Sequence, residues 1–101
     1  MSLKITNTFT RPSTDVAFHI SGVADTFITH VLDTYKNTGK LLDLVTDVSA
    51  DGKVLTTVWT WADQASYDEY RNDAQVVAFR TSRDAHNSAN GITVTQNTET
   101  V

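Results

Sequence analysis

One polar side chain stands out in a strand-like segment near the start of the chain. In LKITNTFT, residues 3–10, Leu3, Ile5, Asn7 and Phe9 alternate with polar residues, so Asn7 interrupts an otherwise apolar face. A buried amide left without hydrogen bonds costs roughly 1 to 3 kcal/mol. Asn7 is therefore a candidate catalytic residue that orients a carbonyl group or dioxygen in a pocket. The alternative is a hydrogen bond to a neighbouring loop.

Four of the nine aromatic residues lie close together in VLTTVWTWADQASYDEY, residues 54–70. Trp59 and Trp61 share one face of a strand by its period of two, and Tyr67 and Tyr70 lie three apart on one face of a helix. Trp61, at the strand end, and Tyr67 are candidate substrate-binding residues. Tyr70 is a candidate catalytic residue that donates a hydrogen bond to a ligand oxygen. The alternative is that these rings fill the core or a dimer interface, which we expect for Trp59 and consider also for Tyr67.

Two arginines three residues apart follow on the next predicted helix. Arg80 is a candidate substrate-binding residue, because with Arg83 it can pair with a ligand carboxylate. The alternative is a pair of exposed ion pairs with nearby acids, each worth less than about 1 kcal/mol.

The three histidines, His19, His30 and His86, are dispersed along the chain. They lack the paired helical spacing and the neighbouring carboxylates of a metal site, so we expect no metal. His19, in the loop after the first strand, is the candidate general base, and the other two are expected on helix surfaces.

Composition excludes several classes of function. The chain has 101 residues, no cysteine and a formal charge of −4 without a basic cluster, which argues against thiolate chemistry, nucleic acids and anionic membranes. Its apolar stretches are too short to span a bilayer, and its N-terminal residues lack the apolar region of a signal peptide. We expect one soluble, cytoplasmic domain over residues 1–101.

The boundaries of the remaining elements are predicted from glycine, proline and aspartate residues at turns and helix ends. A helix is predicted from about Val23 to a cap at Gly39, and Asp51-Gly52 predicts a hairpin between two strand-like runs. Asp63 and Asp73 are predicted N-caps of a second helix that breaks and restarts, Gly91 ends it, and the alternating tail GITVTQNTETV predicts a last strand.

This order, β-α-β-β-α-β, is that of the ferredoxin-like α+β fold, in which a four-stranded antiparallel sheet carries its helices on one face. Because valine, leucine and tryptophan are spread over both faces of the third strand, the uncovered face is expected to be apolar. We therefore predict a homodimer that packs sheet to sheet.

The segment WADQASYDEYRNDAQVVAF, residues 61–79, resembles the antibiotic biosynthesis monooxygenase family and its dimeric α/β-barrel relatives. The resemblance implies a homodimeric barrel with a small cavity in each monomer, and the family includes cofactor-independent oxygenases of quinol-like aromatics and haem-degrading enzymes. Asn7 matches the asparagine of the haem-degrading branch, but Tyr70 and Arg80 stand where that branch has tryptophan and histidine. Without that imidazole no haem is expected, and no other cofactor is predicted.

Three hypotheses remain. The first is a cofactor-independent oxygenase or isomerase of a small aromatic or polyketide-like molecule, oriented by Asn7, Trp61 and Tyr70, with His19 moving a proton. The second is a small-molecule binding or accessory protein on the same scaffold, and the third is a structural dimer with a closed core.

Overall fold

The computed structural model describes residues 2–18 and 27–101, and His19, the candidate base, lies outside them. The first helix, α1, is described over residues 27–36, of which 27–31 are α-helical and Leu32–Lys36 form a π-helix. The other elements are β1 (Leu3–Thr10), β2 (Leu41–Val48), β3 (Val54–Trp61), α2 (Gln64–Arg71), α3 (Ala74–Asn90) and β4 (Thr93–Thr100).

The four strands form one antiparallel sheet in the order β2-β3-β1-β4. The first and last strands of the chain are therefore neighbours, and Asn7 on β1 lies between Thr57 on β3 and Gln96 on β4. This topology, with the helices, confirms the predicted ferredoxin-like α+β fold.

The turn residues act as their chemistry predicts. Gly52 adopts a φ of 75° in the β2–β3 hairpin, where a side chain would be strained. Asp63 and Asp73 cap α2 and α3 by accepting hydrogen bonds from the backbone N–H groups of Ser66 and Gln75. The predicted break between the two helices is thus confirmed. The π-helical turn of α1 was not predicted, since apolar spacing does not distinguish it from an α-helix.

The core lies between the helices and one face of the sheet. On β3, Leu55, Thr57, Trp59 and Trp61 are buried and alternate with partly buried residues. The helices contribute the side chains that meet this face, which are Phe27, Val31, Tyr35, Tyr70 and Val76. A smaller cluster of Phe9, Phe18, Leu55 and Ile92 fills the other end of the sheet.

The opposite face of the sheet is less apolar than the sequence predicts. Both tryptophans and Leu55 point toward the helices, so β3 presents Val54, Thr56, Val58 and Thr60 to the outside. Because side chains alternate along a strand, the large residues at odd positions all share the inner face. The outer face is therefore a mixture of valine and threonine, less apolar than expected. None of the helices in the described ranges is long and apolar enough to cross a membrane.

Candidate functional site

A cavity opens between the sheet and the helices, with about 620 Å³ of space inside its walls and at its mouth. Residues from all three helices and from the strands β1, β3 and β4 line it. They are Ile5, Asn7, Phe9, Phe27, Leu55, Thr57, Trp59, Trp61, Tyr67, Tyr70, Phe79, Arg80, Arg83 and Gln96.

Aromatic rings form one wall of the cavity. The rings of Trp59 and Trp61 are nearly parallel with centroids 6.0 Å apart, and Tyr70 packs obliquely on both at 5.4 and 4.8 Å. Phe27 and Phe79 stack at 3.8 Å. Parallel and tilted rings of this kind offer flat apolar surfaces that suit a planar aromatic ligand.

A polar row crosses the sheet side of the cavity. Thr57, Asn7 and Gln96 are neighbours on three adjacent strands, and the Gln96 Nε2 donates a hydrogen bond to the Asn7 Oδ1 at 2.9 Å. Thr57 is buried and Asn7 is partly buried. Asn7 thus has a side-chain partner on β4 and not, as one alternative held, on a loop.

Two arginines on α3 line the cavity but differ in their contacts. The Arg83 guanidinium lies 5.6 Å from the centre of the Phe9 ring and 3.2 Å from the carboxylate of Asp84. Arg80 is partly buried and makes no hydrogen bond or ion pair with any described residue. Burial, and to a smaller extent the positive charges of Arg71 and Arg83, lowers the pKa of Arg80. A cation in this position is suited to an anionic group of a ligand.

The hydroxyl groups of the two tyrosines in the cavity also differ. Tyr67 accepts a hydrogen bond from Arg71 at 2.8 Å, whereas the Tyr70 hydroxyl has no hydrogen-bond partner in the described part of the chain. Burial raises the pKa of Tyr70 far above its ordinary value, against the opposing charges of Arg80 and Arg83. Tyr70 therefore stays protonated at neutral pH and can donate a hydrogen bond to a ligand, but it cannot act as a base there.

Five of the six candidate site residues line this one cavity: Asn7, Trp61, Tyr67, Tyr70 and Arg80. Trp59, expected in the core or an interface, lines it too. Gln96 and Thr57 were not proposed from the sequence. A signal for Gln96 was present, since it interrupts the Ile92, Val94 face of the last strand as Asn7 interrupts that of the first.

The two described histidines lie on helices outside the cavity, and each is close to a polar atom from a distant part of the chain. The His30 Nε2 lies 2.7 Å from the Asp73 Oδ2, and the His86 Nε2 lies 2.6 Å from the backbone oxygen of Ala17. Their partners come from distant parts of the chain, which is why the helical spacing of the sequence did not reveal them. Within residues 2–18 and 27–101, no group of three or more histidine, aspartate or glutamate side chains is placed to hold a metal ion.

No protein-family model and no curated protein sequence matches the chain. Solved structures do resemble it. SnoaB, a cofactor-independent oxygenase from Streptomyces nogalater, superposes with a TM-score of 0.68 at 10% identity, over 99% of this chain and 92% of SnoaB. An antibiotic biosynthesis monooxygenase gives a TM-score of 0.64 at 14% identity, over 100% of this chain and 98% of its own.

A dimeric ferredoxin-like protein from an uncultured marine organism gives a TM-score of 0.63 at 10% identity, over 99% of this chain and 94% of that one. At sequence identities this low, the similarity is evidence of a shared fold only. The resemblance seen in residues 61–79 is confirmed at that level: the chain has the ferredoxin-like fold of antibiotic biosynthesis monooxygenase-like proteins.

Proposed function

We propose that this protein binds a small planar aromatic molecule with an acidic oxygen in the cavity, and that it oxidises this molecule with dioxygen without a cofactor. The observation that carries the proposal is Arg80, a partly buried guanidinium without an ion-pair partner in the described chain, beside stacked aromatic rings. Burying a cation without an anion is costly, and a ligand anion would compensate that cost.

Different lining residues bind different parts of the ligand. Trp59 and Tyr67 contact the flat faces of the ligand, and Trp61, whose side chain is fully buried, supports both rings from behind. Arg80 pairs with the anionic oxygen of the ligand. The Tyr70 hydroxyl and the Asn7 amide donate hydrogen bonds to a second oxygen. Aromatic walls with a few convergent polar groups are typical of small-molecule sites.

The proposed chemistry follows from stabilising an anion in a mainly apolar cavity. A substrate with an acidic C–H group loses a proton, and Arg80 stabilises the resulting enolate or phenolate. The anion reduces dioxygen, a C–O bond forms to give a hydroperoxide, and loss of water leaves a carbonyl group. The substrate supplies all the electrons, so CH₂ and O₂ become C=O and H₂O. His19 remains the predicted base for the first step, and its position lies outside the described residues.

A binding or accessory role is the second candidate. It is favoured by the absence of a carboxylate or imidazole among the described residues that line the cavity. Oxygen consumption separates the two roles. With anthrone as the probe, an oxygenase accelerates oxygen uptake and anthraquinone formation above the protein-free rate, and a binding protein does not.

Binding is tested with 1-naphthoate and its neutral analogue 1-naphthamide, by calorimetric titration. Arg80→Gln is expected to weaken naphthoate binding about tenfold, the scale of one charge-assisted hydrogen bond, and to leave naphthamide binding unchanged. Lys53→Gln is the charge-matched control, because Lys53 lies on the hairpin away from the cavity.

Two outcomes would contradict the binding proposal. If neither probe binds the native protein, the cavity is not a site for aromatic molecules. If both bind but Arg80→Gln affects them equally, Arg80 does not recognise an anion.

The protein is also proposed to be a homodimer. Thr6, Thr8, Val54, Thr56 and Val58 lie on the outer face of the two central strands, where no described element covers them, and Val45 beside them is 49% exposed. A second copy is the partner that this face fits, since one of the structural neighbours is a dimeric ferredoxin-like protein.

A further inference from the structure

Gln96 is the one residue of the edge strand β4 that lines the cavity in the described chain. It lies directly opposite Asn7 in the β1–β4 register, and its Nε2 donates to the Asn7 Oδ1 at 2.9 Å. The two amides are therefore joined across the polar side of the site.

As the two amides stand in the structure, this hydrogen bond occupies one half of the Asn7 amide and leaves the other half for a ligand. A primary amide has an oxygen that accepts and a nitrogen that donates. Gln96 occupies the oxygen, while the Asn7 Nδ2 has no partner among the described residues. A ligand in the cavity therefore meets a donor at Asn7.

We propose that Gln96 is a positioning residue: it holds the Asn7 amide with its donor available to the cavity, so that the site selects aromatic ligands with a carbonyl or other acceptor over ligands with a donor. The inference rests on the proposed function, in that the cavity must bind an aromatic molecule. A site that hydrogen-bonds a ligand discriminates against an analogue with the wrong group, because a buried polar atom is then left unpaired.

The chain offers a substitution that reverses the arrangement. In Gln96→Glu the side chain keeps its shape but can only accept, so Asn7 must donate its Nδ2 to Glu and present its oxygen to the ligand. In Gln96→Met the side chain keeps its length and makes no such bond, so the Asn7 amide is free to rotate. Because residue 96 is exposed at a sheet edge, both variants are expected to fold, which circular dichroism checks.

The probes are three bicyclic molecules of similar shape: 1-indanone, which accepts a hydrogen bond, indole, which donates one, and indane, which does neither. All are uncharged, and the ratio of their affinities is the readout. A carboxylate at residue 96 would by itself favour indole over 1-indanone, so the uncharged Gln96→Met is the decisive variant and Gln96→Glu is compared with it. In the native protein we expect 1-indanone to bind about tenfold more tightly than indole, each measured relative to indane by NMR titration. In Gln96→Glu the preference reverses, and in Gln96→Met it falls to within about threefold.

Three outcomes would overturn the inference, and they differ in what else they overturn. Equal affinities for 1-indanone and indole in the native protein, or an unchanged preference in both variants, mean that Gln96 does not set the Asn7 amide, and the proposed function stands. Failure of all three probes to bind the native protein refutes the aromatic site itself, and the role of Gln96 with it.

Discussion

Two buried tyrosines of this protein have the same kind of environment but different hydroxyl contacts. Tyr35 and Tyr70 pack edge to face with ring centroids 5.6 Å apart. The Tyr35 hydroxyl donates to the Asp73 carboxylate at 2.6 Å, whereas that of Tyr70 has no partner within residues 2–18 and 27–101. Burial raises the pKa of both groups, and Asp73 adds to the effect at Tyr35. The same substitution at these two positions therefore separates stability from binding.

We expect Tyr35→Phe to lower the free energy of unfolding by about 1 to 2 kcal/mol, since it removes a hydrogen bond to a charged group. Tyr70→Phe should lower it by less than about 0.5 kcal/mol, because the lost hydroxyl bonds to nothing in the described chain. It should instead weaken the binding of 1-naphthoate. Urea denaturation and calorimetric titration of both variants measure the two effects. Equal losses of stability would show that the Tyr70 hydroxyl has a structural role.

At the scale of elements, Asp73 ties α1 to the beginning of α3. Its Oδ1 caps α3 by accepting from the Gln75 N–H, and its Oδ2 accepts from Tyr35 and His30 on α1. Burial alone would raise the pKa of Asp73, but the hydrogen bonds from Tyr35, His30 and Gln75 outweigh it and hold the pKa below the usual range. One carboxylate thus links α1 to the beginning of α3, in addition to the apolar packing between these helices.

The Asp73→Asn substitution separates the cap from the link between helices, since asparagine caps a helix as well as aspartate does. We expect a loss of about 1 to 3 kcal/mol from the weakened bonds to Tyr35 and His30. The depressed pKa also means that the unfolded chain takes up this proton first on acidification. The stabilisation is therefore complete above the unfolded pKa of about 3.9 and is lost as the pH falls through the lower folded pKa.

Chemical denaturation of the native protein and of Asp73→Asn, from neutral pH down to about pH 3, tests this linkage. The stability difference between the two proteins should shrink at the acid end. A difference that stays constant with pH would mean that Asp73 contributes through its shape and not through its charge.

For the whole molecule, the outer face of the sheet is the surface through which we propose that two copies pack. Val45 on β2 lies beside Val58 on β3 and is 49% exposed, while Val77 on α3 is 48% exposed on a different surface. These two valines have nearly equal exposure in the monomer, so a lysine at either should affect the folded monomer similarly. They differ in whether a second copy would cover them.

We expect the native protein to be a dimer, Val45→Lys to be a folded monomer, and Val77→Lys to remain a dimer. The reason is that an unpaired charge buried in an interface is costly, whereas one on a free surface is not. Sedimentation velocity gives the masses and circular dichroism the folded state. A native monomer, or equal dissociation by both variants, would contradict packing through this face.

The predictable part of the site was the set of residues on regular elements. Asn7 was proposed because it interrupts an apolar strand face, and Trp61 because it ends a strand. Tyr67, Tyr70 and Arg80 were proposed because each has a like residue three positions away on a predicted helix, and all five line the cavity. Their pairings were not predictable. The bonds of Asn7 to Gln96 and of His30 to Asp73 join residues 89 and 43 positions apart, and such contacts are set by the topology of the sheet.

By itself the sequence determined the elements, their order and the residues that end them, because these depend on local periodicity and on the backbone chemistry of glycine and aspartate at turns and caps. It also determined the fold class, since few topologies accommodate β-α-β-β-α-β. Only the tertiary structure decided that Trp59 joins the cavity wall, that Arg83 is engaged with Phe9 while Arg80 is not, and that Gln96 faces Asn7. These depend on packing and register between distant segments, which no local pattern encodes.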